Sequence, residues 1–230
     1  MLPLEGLEVV AIEQAVAAPF ASSRLADAGA HVVKIERPEG DFARGYDDVA
    51  NGQSSYFVWL NRGKESVTLD LTSQKGKAAL EAIIARADVV IQNLKPGALA
   101  KLGFDLARLR RDYPRLVTCS ISGYGEDGPM ADRKAYDLLI QAESGLCSIT
   151  GGPSEPARVG VSVVDIATGA TAHAARPMAA TASYSAEVAA RSSSASSTSQ
   201  LRRPPRKTRA ESARCSRGER SVSSRVAMYG

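Results

Sequence analysis

Short β-branched runs alternate with amphipathic stretches through the first half of the chain. Leu7–Glu13 (LEVVAIE) has the apolar run of a buried strand. Pro19–Ala30 (PFASSRLADAGA) spaces its apolar residues as a helix does, opens on a proline suited to a first helical turn, and closes near Gly29. His31–Glu36 (HVVKIE) is strand-like again, so strand, helix and strand follow within about 30 residues, the size of a βαβ unit. The pattern then repeats. Ser66–Leu71 predicts a strand, Ser73–Ala87 an amphipathic helix with a Ser or Thr cap, Val89–Gln92 a strand, Asp105–Tyr113 a helix and Leu116–Ser122 a strand. This alternation predicts an α/β fold: a Rossmann-like parallel sheet with helices on both faces. Ligands of such sheets bind beyond the carboxyl ends of the strands. The candidate loops are therefore Gln14–Pro19, Arg37–Arg44, Asn93–Gly97 and Gly123–Pro129.

One of these loops imitates a dinucleotide site. Gly123-Tyr-Gly125-Glu-Asp-Gly128 matches G-x-G-x-x-G after a strand. It sits on the last predicted strand rather than in the first βαβ unit, Pro129 follows it, and Glu126 and Asp127 would repel a pyrophosphate. The first unit carries Gln14-Ala-Val-Ala-Ala-Pro19 instead, so a nicotinamide cofactor is not expected.

Composition changes the picture in the last quarter. Residues 1–175 hold 18 basic and 22 acidic side chains, a balance of −4, whereas residues 176–230 hold 11 basic and 3 acidic, a balance of +8. Those last 55 residues contain 13 Ser, 10 Arg and 10 Ala, and Leu201 is their single Leu or Ile. Such a segment cannot bury enough apolar surface to offset its ordering entropy. The expected organisation is thus a folded unit over 1–175 and a disordered low-complexity tail over 176–230. A basic arm for nucleic acid is the alternative for the tail. It has one Lys and no repeat, so an out-of-frame C-terminus of a GC-rich gene accounts for it better. The longest apolar runs are far shorter than the ~20 residues that span a bilayer, and no signal sequence opens the chain. Three cysteines without metal-ligand spacing and two histidines indicate a reducing, cytoplasmic setting and no metal site. His31, Cys119, Cys147 and Trp59 are expected to be structural.

Several collinear segments together resemble the class III (CaiB/BaiF, formyl-CoA transferase-like) CoA-transferase family, which also includes α-methylacyl-CoA racemases. They are Ala18-Pro-Phe20 with Leu25-Ala-Asp-Ala-Gly29-Ala, Val33-Lys-Ile-Glu-Arg-Pro38, Asn61-Arg-Gly-Lys64 with Leu69-Asp-Leu71, and Gln92-Asn-Leu-Lys-Pro-Gly97. Ser122-Gly-Tyr-Gly125 with Gly128-Pro129, Ala135-Tyr-Asp137, and Val164-Asp165 with Thr168-Gly169 complete the set. The resemblance runs from Leu4 to about Ala175. Beyond it the family's second domain and glycine-rich active-site loop are not recognisable, so the chain is expected to be the N-terminal portion of such an enzyme. Full-length members form an intertwined homodimer.

The resemblance implies transfer of CoA from an acyl-CoA to a free carboxylic acid, with CoA as substrate and no tightly bound cofactor. It makes Asp165 the nucleophile toward the thioester, a role that suits a carboxylate. The same residue precedes a plausible helix start, so an ordinary N-cap is the competing role, and the helix end should hold the carboxylate ionised. Tyr136 takes the place of the racemases' proton-shuttling His, and a phenol is a poor base at neutral pH. That favours a transferase over an acyl-CoA racemase. A truncated, inactive CoA-binding remnant is the other alternative. By resemblance, Arg37, Lys134, Arg62 and Lys101 meet the CoA phosphates, Asn93 lies beside the adenosine, and Tyr56 lies near the acyl group. The glutamine that some transferases place before the first-loop proline has no counterpart, since Val16 stands there.

Overall fold

The computed structural model describes residues 2–152, 154–174 and 223–227. Its elements run β1 (Glu8–Ile12), α1 (Ala17–Asp27), β2 (His31–Glu36), a short 3-10 helix (Phe42–Gly45), α2 (Ser55–Asn61) and β3 (Lys64–Thr68). There follow α3 (Gln74–Ile84), β4 (Val89–Gln92), α4 (Ala98–Lys101), α5 (Leu106–Asp112), β5 (Val117–Ser122), α6 (Asp137–Glu143) and α7 (Leu146–Thr150). Helix α8 spans 163–174, and β6 is Ser223–Ala227. The sheet order is β3-β2-β1-β4-β5-β6, and every pairing is parallel. This is the doubly wound order, whose ligand crevice opens where the chain reverses direction across the sheet, between β1 and β4.

Local chemistry explains the helices. Pro19 lies in the first turn of α1, where no intrahelical N–H is required. Ser73 caps α3 by accepting from Gly76 N, and Asp105 caps α5 by accepting from Arg108 N. Helix α2, capped by Ser54, has no counterpart in the sequence prediction. Its run Ser-Tyr-Phe-Val-Trp-Leu-Asn is rich in β-formers and shows no polar face at helical spacing. Strand β3 begins two residues before the predicted strand and stops at Thr68; Leu69 and Leu71 leave it to pack against the core.

Two cores sandwich the sheet. On one face Val9, Ala11, Val32, Ile91 and Cys119 meet Ala18, Ala21 and Leu25 of α1 and Ala172 of α8. On the other, Val10, Ile12, Ile35 and Val90 meet Leu80 and Ile84 of α3, Leu99 of α4 and Leu109 of α5. Of the residues expected to form a disordered tail, the structure describes Ser223–Ala227 as β6, with Thr118 beside Ser223. Pairing at an open sheet edge runs through main-chain groups. The rest of that expectation, and Cys215, lie outside the described residues. No described helix is long and apolar enough to cross a membrane.

The first sheet face carries ions as well as hydrocarbons. Along β2, Val32, Lys34 and Glu36 alternate onto it. Lys34 is 1 % exposed, with Nζ 2.8 Å from Asp41 Oδ2 and 3.7 Å from Glu13 Oε1. Lys64 Nζ reaches the same Glu13 oxygen at 2.7 Å and also donates to Pro19 O and Asn61 Oδ1. Ser22 Oγ donates to Glu13 as well. Glu36 accepts from Arg44 through two nitrogens at 2.7 and 2.9 Å, from Ser66 Oγ and from Asp41 N. Burial opposes ionisation of Glu13, yet the charges of Lys64 and Lys34 outweigh it and hold the carboxyl below the usual range. Against the same cost of burial, the bonds from Arg44, Ser66 and Asp41 N bring Glu36 down to about 2. Burial lowers Lys64 to about 8 in spite of Glu13. Three carboxylates are matched by three cations, so the cluster is neutral as a whole.

Removing one partner from a buried pair strands a charge, at a cost of about 3–5 kcal/mol. Asp41→Ala, which leaves Lys34 only Glu13 at 3.7 Å, a carboxylate it shares with Lys64, should therefore lower unfolding stability in urea by about that much. A loss below about 1 kcal/mol, the range of exposed ion pairs, would show that the pair does not bear on the fold.

Candidate active site

The turn after β1 lies over the crevice. Gln14 N donates to Asn93 Oδ1 at 3.0 Å, and Asn93 Nδ2 donates to Gln14 O at 2.8 Å, tying the ends of β1 and β4 together. Ala15 follows with a φ of 63°, a left-handed conformation that costs a non-glycine residue on the order of 1 kcal/mol. Its N–H donates to Asp41 Oδ1 at 3.2 Å, so the buried Lys34–Asp41 pair stabilises the strained residue.

Two cavities flank this turn. The larger, about 680 Å³, lies over the ends of β1, β2 and β3; Gln14, Arg37, Gly40, Leu69, Leu94 and Lys95 are among its lining. The smaller, about 140 Å³, is lined by Ala17, Asn93, Leu94, Tyr136, Asp137 and Asp165, among others. Leu94 borders both.

Asp165 reaches the smaller cleft because α8 lies directly on α1. A Cβ at Gly169 would stand 2.5 Å from Ala17 O, so only glycine allows that approach. One turn earlier, Asp165 faces the cleft, and its carboxyl has no hydrogen-bond partner among the described residues. It does not cap its helix, nor does the helix hold it ionised as the sequence had suggested. Asp137 Oδ1 occupies the helix end instead, accepting from Val164 N at 2.8 Å and Asp165 N at 3.2 Å. Gln141 Nε2 donates to the other Asp137 oxygen. Burial, and then the Asp137 charge, push the Asp165 carboxyl up to about 6.

Five aromatic rings form a chain of contacts. Phe42, Tyr46, Tyr56, Trp59 and Phe20 touch in series at centroid distances of 5.8, 5.8, 6.0 and 5.9 Å. Burial, with the charges of Asp41, Asp165, Tyr136 and Tyr56, raises the Tyr46 phenol to about 12. Tyr136, 63 % exposed, precedes α6 and lines the cleft.

The other predicted residues separate into two groups. Arg37 is on the rim of the large cavity, its Nε donating to Gly40 O. Lys101 is exposed on α4 between Ala98 and Leu102, both of which line that cavity, and exposed Lys134 precedes the cleft residues Ala135 and Tyr136. The fold does not bring Arg62 to them. It precedes β3, at the amino end of the strands and away from both cavities, where it binds Asp27 at 2.5 Å and Trp59 O at 2.6 Å. His31 lies at that same amino end, between Glu8 and Glu65. Sequence reasoning missed three residues: Lys95, though it stands inside the quoted motif, Tyr46, which carried no signal, and Asp137, noted only as a neighbour of Tyr136.

The family model for CoA-transferase family III matches residues 4–202. The chain belongs to that family. The match extends beyond Ala175, where the sequence reading had placed the end of the resemblance. A succinate–glutarate CoA-transferase of Agrobacterium fabrum is 43 % identical over 176 residues, covering 73 % of this chain and 44 % of the relative. A formyl-CoA:oxalate CoA-transferase of Streptomyces avermitilis is 42 % identical over 170 residues, 72 % of this chain and 41 % of the relative. The crystal structure of a CaiB/BaiF family protein from Brucella suis superposes with a TM-score of 0.73 at 41 % identity, covering 77 % of this chain and 49 % of that one. The chain thus spans less than half the length of these relatives. Against this family, the glycines of Gly123–Gly128 have other uses than a dinucleotide. A Cβ at Gly123 would meet Ala135 Cβ at 1.9 Å, Gly125 and Gly128 have positive φ, and the next helix begins only at Asp137.

Folding disfavours ionisation of a carboxyl whose folded pKa lies above its unfolded value. For Asp165 this cost is absent below about 3.8 and complete above about 6. Asp165→Asn should therefore stabilise the chain by up to about 3 kcal/mol at pH 8 and by far less at pH 4, read from urea midpoints. An equal effect at both pH values would mean that the Asp165 titration is not displaced.

Proposed function

We propose that this chain carries the CoA-handling part of a CoA-transferase that moves CoA between an acyl-CoA and a free carboxylic acid through Asp165. The observation that carries this reading is a carboxyl in a cleft with no hydrogen-bond partner among the described residues, held at a raised pKa. A fold seldom leaves such a group unbonded without use for it. At neutral pH most of it is ionised, and its raised basicity favours attack on a carbonyl.

An Asp165 oxygen attacks the thioester carbonyl, the C–S bond breaks and CoA thiolate leaves, giving a mixed anhydride. The thiolate then attacks Asp165 Cγ, releasing the donor's carboxylate and leaving an aspartyl-CoA thioester. An acceptor carboxylate attacks that thioester in turn, and the thiolate returns to the new acyl group. Protons balance throughout, since acids enter and leave ionised. Helix α1 starts without a side-chain cap and Ala17 lines the cleft. Its first N–H groups suit the charge that develops on the thioester oxygen.

The larger cavity suits the nucleotide end of CoA, with Arg37, Lys95, Lys101 and Lys134 around the path for phosphates. Asn93 contributes through the Gln14 turn that it fixes, and Tyr56 and Tyr46 wall the acyl side. Tyr136 offers no imidazole opposite Asp165, which favours transfer over racemisation. The acids would be small carboxylates of the kind named for the relatives, and the setting cytoplasmic. Exposed Phe42, Trp59, Leu138 and Leu139 beside the site suit cover by a second copy of the chain. Because the chain spans under half the length of its relatives, CoA binding without turnover is the second reading.

Incubation with acyl-CoA followed by hydroxylamine should modify Asp165, located by mass spectrometry, and Asp165→Ala should abolish both labelling and transfer. Labelling elsewhere would sink the assignment, and binding without labelling would favour the second reading. Arg37→Ala and Lys134→Ala should each weaken CoA binding by about 1.5–3 kcal/mol, with a smaller loss for dephospho-CoA, in calorimetry. Equal losses for both ligands would mean that neither side chain meets the 3′-phosphate.

A further inference from the structure

Two carboxylates stand at the start of α8, and they are bonded very differently. Asp137 Oδ1 takes the N–H groups of Val164 and Asp165, and its other oxygen takes Gln141 Nε2. Asp165 takes none of the donors of its own helix end. An aspartate at the third helical position would ordinarily compete for those donors. The competition has been decided by a residue 28 positions earlier in the chain.

We propose that Asp137 is the positioning residue for Asp165: it takes over the capping of α8, freeing the Asp165 carboxyl to face the cleft with a like charge beside it. The inference rests on the reading of Asp165 as nucleophile only for its meaning, not for its geometry. An uncapped α8 would draw the Asp165 carboxyl back onto Val164 N and its own N–H, where an electron pair on oxygen is engaged and less available for attack. The neighbouring charge adds basicity without adding a hydrogen bond.

Other titratable groups around the cleft do not replace this one. From the start of α6 come Asp137 and Tyr136, and from the turn after the 3-10 helix comes Tyr46, whose phenol is itself displaced upward. From α1 and the β4 loop come Ala17, Asn93 and Leu94, none of them charged. Burial is the larger influence on Asp165 and Asp137 the second, so neutralising Asp137 removes part of the displacement.

The test follows Asp165 by carbon NMR of the full chain labelled at aspartate Cγ, from about pH 3 to 9, with Asp165→Asn to assign its signal. Asp137→Asn keeps an acceptor for the two amides and removes the charge. Asp137→Ser is a second neutral cap should the amide fail to fold. In either variant the Asp165 midpoint should fall on the order of one pH unit, while amide exchange at Val164 and Asp165 stays slow. Asp137→Ala should lose that amide protection as well, and Asp137→Glu should leave the midpoint near the parent's. An unmoved midpoint in a folded neutral variant would overturn the proposal and leave Asp137 a cap alone. Retained amide protection in Asp137→Ala would overturn the capping half. None of these readouts involves turnover, so they stand apart from the trapping experiment on Asp165.

Discussion

A buried, neutral set of ions between β1, β2 and β3 is the constraint on which the site depends. Lys34 and Lys64 are strand residues of a sheet covered on both faces, where a lone ammonium would cost several kcal/mol. Glu13 bridges the two lysines, and Asp41 completes Lys34. Because Asp41 also accepts from Ala15 N, the ion pair sets the conformation of the turn at the crevice. Asn93 holds the preceding residue from the other side of the sheet reversal. The ligand-facing turn is therefore fixed from below by charge and from the side by an amide. Its strain persists because both anchors are themselves held in place.

The same arrangement shows why the family's motifs look as they do here. Val33-Lys-Ile-Glu-Arg-Pro38 supplies Lys34 and Glu36 to the interior and Arg37 to the rim of the large cavity. Asn61-Arg-Gly-Lys64 sends Lys64 and Asn61 inward and Arg62 to the amino end of the strands. Much of what reads as a ligand motif is the scaffold beneath the ligand, and a charged residue in such a motif is an interior ion as readily as a contact.

Strand positions and the doubly wound order were legible because every central strand is a β-branched run with a break on each side. The alternation of Val32, Lys34 and Glu36 against Val33 and Ile35 also carried a readable signal, since a charged side chain facing inward on a covered strand demands a partner. Helix α2 was hidden, because its aromatic run suits a strand equally well. Asp165 was legible as a residue but not in its state: proximity to a helix start suggested a carboxylate held ionised, whereas Asp137 takes the N–H groups of that helix end and the Asp165 carboxyl is pushed up instead. Arg62 illustrates the converse, as proximity in sequence to Lys64 says nothing about which end of the strands a side chain reaches.

Asp165, the β1 turn and two cavities that share Leu94 lie over the carboxyl ends of the strands, and the central claim is that CoA spans them. A crystal structure of the chain with CoA tests this most directly. The account predicts the nucleotide in the cavity beside Arg37 and Lys95, the pantetheine chain crossing Gln14 and Leu94, and the thiol sulfur in contact with the Asp165 carboxyl. A nucleotide seated elsewhere, or a sulfur that ends outside the cleft of Tyr136, Asp137 and Asp165, would contradict it.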